Sequence, residues 1–145
     1  MTRVDFYHNA GSRLETAARI VRKAYHQGVP ALIYAPEPAL ARELDQLLWV
    51  APSGSFLPHC GADDPLAGET PVVIAQDLAS DRAPPNDKLL INLSAEVPPG
   101  FARFERIIEV VSTDGEAREQ GRARFRHYRD RGYEINTHDV AGASA

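Results

Sequence analysis

The run EAREQGRARFRHYRDR at 116–131 sets six arginines against three acids, a local charge of +3. At about 100° per residue on a helix, Arg118, Arg122, Phe125, Arg126 and Arg129 fall within an arc of about 100°. Guanidinium forks bind carboxylates bidentately, and an aromatic ring among them adds an apolar surface. The chemistry that suits this face is recognition of an acidic peptide with an apolar ring, a terminal carboxylate included. Arg124 and Arg131 fall on the far side; the competing reading is a solvated charged face with Phe125 and Tyr128 turned into the core. Against it, only Glu119 and Asp130 stand near enough in sequence to neutralise the stripe, and surface charge runs usually mix signs more evenly.

No other residues make a comparable constellation. His59-Cys60 stand beside Asp63-Asp64, but neighbours on a strand point to opposite faces and make no nucleophile–base pair; Cys60 reads as a surface-loop thiol. The five histidines lack the HxH or HExxH spacing of a metal site. The turn Tyr7-His8-Asn9-Ala10-Gly11-Ser12 carries one glycine where dinucleotide binding needs GxGxxG, and no GxxxxGK[ST] occurs. A phosphate at the helix start near Ser12 is the residual option. A second surface of interest is Trp49 with Phe56, Leu57 and Pro58, an apolar stretch in a proline-broken loop that suits an interface. No catalytic assignment, cofactor or metal is expected.

Length and charge bound the rest. A chain of 145 residues with 43% hydrophobic residues suits one domain with a real core; the expectation is a single α/β domain over 1–140 and a frayed tail over 141–145. No apolar run reaches the roughly 20 residues of a membrane span. The opening Val4-Asp5-Phe6-Tyr7 leaves no room for a signal peptide, and one cysteine makes no internal disulfide, so a cytoplasmic protein is expected. The net charge is −4, so everything outside the arginine run carries −7. One basic stripe on an acidic body favours a compact acidic partner over a long phosphate backbone.

The elements that must position these residues follow from patterning. Arg3–Tyr7 reads as a strand, and Ser12 with Glu15 as the capping box of a helix bearing Leu14, Ala17, Ala18, Val21 and Ala24 on one stripe, stopped at Gly28. Ala31–Tyr34, Pro71–Ala75, Lys88–Leu93 and Arg106–Val111 read as further strands, buried on both faces. A second helix starts near Pro38 with Leu40, Leu44, Leu47 and Leu48 on one face. A third runs from Gly115 to Arg131 and ends at Gly132, followed by an extended tail over Tyr133–Thr137. The expected architecture is a Rossmann-like three-layer sandwich: about five mostly parallel strands with helices on both faces.

With the segments VDFYHN, LDQLLWVAPSGSFLPHC (44–60) and RARFRHYRDRGYEINT (122–137) in this order, the chain resembles the chi subunit family of bacterial DNA polymerase III over nearly its full length. That resemblance implies a non-catalytic clamp-loader accessory that binds the acidic, phenylalanine-ended tail of single-stranded-DNA-binding protein and a small partner, psi. It implies a tail site on Arg118, Arg122, Phe125 and Arg126, with Gly132 and Thr137 beside it. It also implies a psi contact on Trp49, Phe56, Leu57 and Pro58. Phe125 stands where the family has tyrosine, and arginine replaces lysine at several positions. DNA would be met only indirectly. Two readings of other classes compete: a nucleotide- or phosphate-binding Rossmann-like enzyme using the strand ends, and direct binding of single-stranded nucleic acid with Phe125 stacking on bases.

Overall fold

The computed structural model describes residues 2–50, 57–78 and 86–141. Seven strands form one sheet: β1 (Arg3–Ala10), β2 (Ala31–Tyr34), β3 (His59–Gly61), β4 (Val72–Ala75), β5 (Leu89–Asn92), β6 (Arg106–Ser112) and β7 (Glu134–Asp139). Their order is β3-β4-β2-β5-β6-β1-β7, and every neighbouring pair is parallel. Parallel neighbours need crossover connections, and α-helices supply those that leave β1, β2 and β6. These are α1 (Arg13–His26), α2 (Pro38–Trp49) and α3 (Gly115–Asp130). Among the described residues no helix is long and apolar enough to cross a membrane.

The two faces of the sheet carry separate cores. Val21 of α1 and Leu44 and Leu48 of α2 pack with Ile33, Val72, Ile91 and Ile108 on one face. Tyr128 and Phe125 of α3 pack with Phe6, Leu32, Leu90, Ile107 and Val111 on the other. This is the expected Rossmann-like three-layer sandwich, with seven strands in place of about five. The two additions are the edges, and both escape a search for apolar runs for a physical reason. β3 has three residues, too few to show a period. β7 is almost wholly exposed and polar, so its pairing with β1 leaves no hydrophobic signature. Cys60, expected in a surface loop, instead lies on β3 and packs against the α3-side core, while the His59 side chain is buried on the opposite face beside Trp49.

Local chemistry explains the helix ends. Ser12 Oγ accepts from the Glu15 amide at 3.1 Å, and Asp114 Oδ1 accepts from the Ala117 amide at 2.9 Å. Gly132 stops α3 in the left-handed region at φ 79°. Within α3, Gly121 lets the helix approach β6: a Cβ there would stand 2.8 Å from Val111 Cγ2 and 2.9 Å from Cγ1.

Polar side chains gather around Asp5 on β1. Asp5, 3% exposed, accepts from Arg106 Nε at 2.6 Å and lies 3.0 Å from His138 Nε2, with Arg3 Nε at 3.6 Å. Burial alone pushes the Asp5 carboxyl up. The hydrogen bonds of Arg106 and His138 and the charges of Arg106 and Arg3 outweigh it and hold the group below its ordinary value of 3.8.

Two outcomes follow. Gly121→Ala gains about 1 kcal/mol of helix propensity, but Val111 is β-branched and cannot swing away, so overpacking costs about 1–3 kcal/mol. Urea unfolding should therefore show a net loss of stability. A carboxyl with a lowered folded pKa stabilises above its unfolded value and loses that contribution as pH falls through the folded one. Asp5→Asn should thus lower Tm at pH 7, and its gap from the parent should narrow as the pH drops below about 4.

Candidate functional site

β1 and β6 are adjacent and parallel, but the helices that leave them go opposite ways: α1 to one face, α3 to the other. A sheet opens a crevice beyond the carboxyl ends of its strands where the helices diverge in this way. Here that crevice measures about 390 Å³. Its floor is Phe6, Val111, Gly121 and Phe125; its rim is Arg118 and Arg122 from α3, His8 and Asn9 from the end of β1, Ser112 from β6 and Thr137 from β7.

Each wall is fixed by a local feature. Phe6 stands between Glu109 of β6 and Thr137 of β7 in the sheet register. Its ring meets that of Phe125 edge-on, with centroids 5.3 Å apart and planes at 60°. Asn9 takes φ 64°, a conformation asparagine tolerates better than most residues, and the β1–β6 register shifts between Tyr7 and Ala10 at that point. Asp139 of β7 is held below the usual carboxylate range, first by the Ala141 amide and then by the Asn9 side chain and the nearby His8. Close approach of α3 through Gly121 brings the arginine rim over the apolar floor.

The crevice is cationic. Arg118 makes no ion pair among the described residues. Arg122 Nη1 contacts Glu119 Oε1, an exposed pair three residues apart on the helix. Such pairs contribute little and are readily exchanged for a better carboxylate. An apolar slot bordered by guanidinium groups can take an aromatic or aliphatic side chain and a carboxylate together.

Of the residues expected on this face, Arg118, Arg122, Phe125 and Thr137 come together in the crevice. Arg126 and Arg129 lie exposed on α3 outside it, Arg129 paired with Asp130 at 3.2 Å, and Gly132 marks the helix end. Arg124 is 3% exposed, buried against the sheet. Nothing in the apolar patterning marks Phe6, Val111 and Gly121 as a floor, and the β1 end offers there only a nucleotide-type turn. The glycine in mid-helix was the available signal, since it sacrifices helix propensity unless close packing requires it.

The second surface is partly as expected. Trp49 is 57% exposed and Val50 74%, at the end of α2. Arg22 Nη2 donates to the carbonyls of Leu47 at 3.0 Å and Val50 at 3.3 Å, which anchors that end. Leu57, expected to face a partner, is 4% exposed and belongs to the core, because its chain direction into β3 turns it under α2. Pro58 is half-buried, and Phe56 lies outside the described residues. Among the described residues no group of three or more histidines, cysteines or acids is placed to hold a metal.

The profile of the family "DNA polymerase III chi subunit, HolC" matches residues 1–136. The Pseudomonas aeruginosa DNA polymerase III subunit chi is 36% identical over 143 residues, covering 95% of this chain and 96% of that protein. The Haemophilus influenzae protein of the same name is 29% identical, covering 87% and 86%, and that of Escherichia coli 28%, covering 85% and 82%. Among solved structures, the C-terminal domain of the DEAD-box protein Dbp5 superposes with a TM-score of 0.59 at 12% identity, over 97% of this chain and 91% of that one. A S. cerevisiae Dbp5 C-terminal domain solved with Gle1 and IP6 gives 0.59 at 14%, over 95% and 90%. At that identity the likeness is one of fold alone. The sequence profile and the relatives agree along almost the whole length, and the chain belongs to the DNA polymerase III chi subunit family.

Proposed function

We propose that this chain is a non-catalytic adaptor of the replicative polymerase, gripping the acidic, phenylalanine-ended C-terminal tail of single-stranded-DNA-binding protein and joining it to the clamp loader through psi. Family membership supports the general role, an accessory one in DNA replication. The observation that carries the tail assignment is the crevice itself, which sets Arg118 and Arg122 at the mouth of an apolar slot floored by Phe6 and Phe125. The terminal phenylalanine ring fills the slot, its carboxylate meets the guanidinium groups, and Arg126 and Arg129 farther along α3 attract the acids upstream. In this reading residues 1–140 act as one domain in the cytoplasm, and DNA is reached only through the bound partner.

Separation of the two surfaces supports bridging. Trp49 lies against His59 of β3, their rings 4.7 Å apart, at one edge of the sheet, whereas the crevice lies at β6, β1 and β7. Five strand spacings of about 4.8 Å put them about 25 Å apart, room for both partners at once. Trp49 and Val50 are the apolar anchor offered to psi.

Calorimetry with a synthetic acidic peptide ending in phenylalanine tests the tail site. Binding in the micromolar range, about −8 kcal/mol, is expected, weakening as salt rises. Arg122→Ala should cost about tenfold or more with Tm nearly unchanged, and the same peptide without its last residue should not bind. Undiminished binding by Arg122→Ala would refute the site. Glu119→Gln removes the competing carboxylate and should tighten binding by up to about fivefold, the worth of an exposed pair. Trp49→Ala should abolish psi capture in a pull-down and leave peptide affinity intact.

A further inference from the structure

A carboxylate lies at the centre of the sheet with no exposure at all. Glu109 is on β6, between β5 and β1, and points to the α3 side. Its Oε1 accepts from Arg124 Nε at 2.8 Å and its Oε2 from Tyr128 Oη at 2.7 Å; Asn92 Nδ2 donates to both oxygens at 3.1 and 3.0 Å. Arg124 Nη1 donates onward to the Ala95 carbonyl at 3.0 Å. Burial, and next the Glu109 charge, push the Tyr128 phenol far up, so it remains a donor.

Such a cluster is a poor way to gain stability. A buried ion pair gives back in attraction about what it loses in solvation, and an apolar replacement of similar volume is often as stable or more so. What it supplies is direction. Apolar contacts between α3 and the sheet tolerate small rotations of the helix, because burial is non-directional. Arg124 and Tyr128 are four residues apart on one helix face and converge on a single carboxylate. Turning the helix breaks both bonds and strands a buried charge. Arg118, Arg122 and Phe125 lie about 100–160° around the same helix from Arg124. A rotation of about 20° carries side-chain tips through about 2 Å, more than a bidentate contact tolerates.

We propose that Glu109 is a positioning residue for the crevice: by taking Arg124 and Tyr128 on one carboxylate it sets the rotation of α3, and with it where Arg118, Arg122 and Phe125 point. This rests on the reading of the crevice as a peptide site.

The test replaces the cluster by apolar groups, Glu109→Leu with Arg124→Met, in the full chain. Three things are read: Tm, the NOEs between the Phe6 and Phe125 rings, and affinity for the acidic phenylalanine-ended peptide. The double variant should stay folded, with a lowered Tm because the buried Tyr128 hydroxyl loses its acceptor, lose or weaken the ring NOEs, and bind the peptide about tenfold or more weakly. A role in stability alone predicts that a folded double variant binds as the parent does, and that result overturns the proposal. If the double variant fails to fold, Tyr128→Phe removes one arm while keeping the ring; about threefold weaker binding by the folded protein is expected, and unchanged affinity refutes the idea. If the parent chain itself does not bind the peptide, the adaptor reading fails, and the ring NOEs still decide whether Glu109 orients α3.

Discussion

β1 lies between the last two strands, hydrogen-bonded to β6 on one side and β7 on the other. Every feature of the crevice depends on that placement. Its floor begins at Phe6, its rim includes Ser112, its cations come from α3, and its far wall is Thr137. The first ten residues and the last thirty-odd of the described chain must therefore meet before a site exists. The physical reason is the crossover requirement of parallel strands: α1 leaves β1 toward β2 on one face, so the chain returning through β6 sends α3 over the other. Divergence of the two helices is what leaves the strand ends open.

The electrostatics follow the same division. Acidic residues dominate the body, and the sole strongly basic run is delivered by α3 to the open end of the sheet. Within that run the arginines part company. Arg124 turns inward to a buried carboxylate, Arg118 and Arg122 border the slot, and Arg126 and Arg129 remain in solvent. One helix thus both docks through a charge and presents charge, and the inward pair fixes the orientation of the outward ones.

Much of this was legible in the residues. The buried strands announce themselves as apolar runs because parallel strands are covered on both faces, and Ser12, Pro38 and Gly132 punctuate the helices through capping and backbone preference. The edges were not legible: β3 is too short and β7 too polar for periodicity to register. Leu57 misled for a related reason, since its neighbours Trp49 and Val50 are exposed while it turns under α2. Composition does not say which apolar residue of a loop faces inward.

What the sequence by itself determined is the helical run that carries the arginines, the face on which four of them gather with Phe125, and the family to which three ordered segments point. Helical periodicity and covalent order suffice for these, because they concern residues a few positions apart. Only the tertiary structure decided that Phe6, Val111 and Gly121 supply the floor, that Arg124 is spent on Glu109, and that Arg126 and Arg129 stand outside the slot. Those facts depend on strand order and on contacts between residues about 100 positions apart in the sequence, such as Phe6 and Phe125. Local periodicity carries no information about such pairings, which the closing of the sheet alone creates.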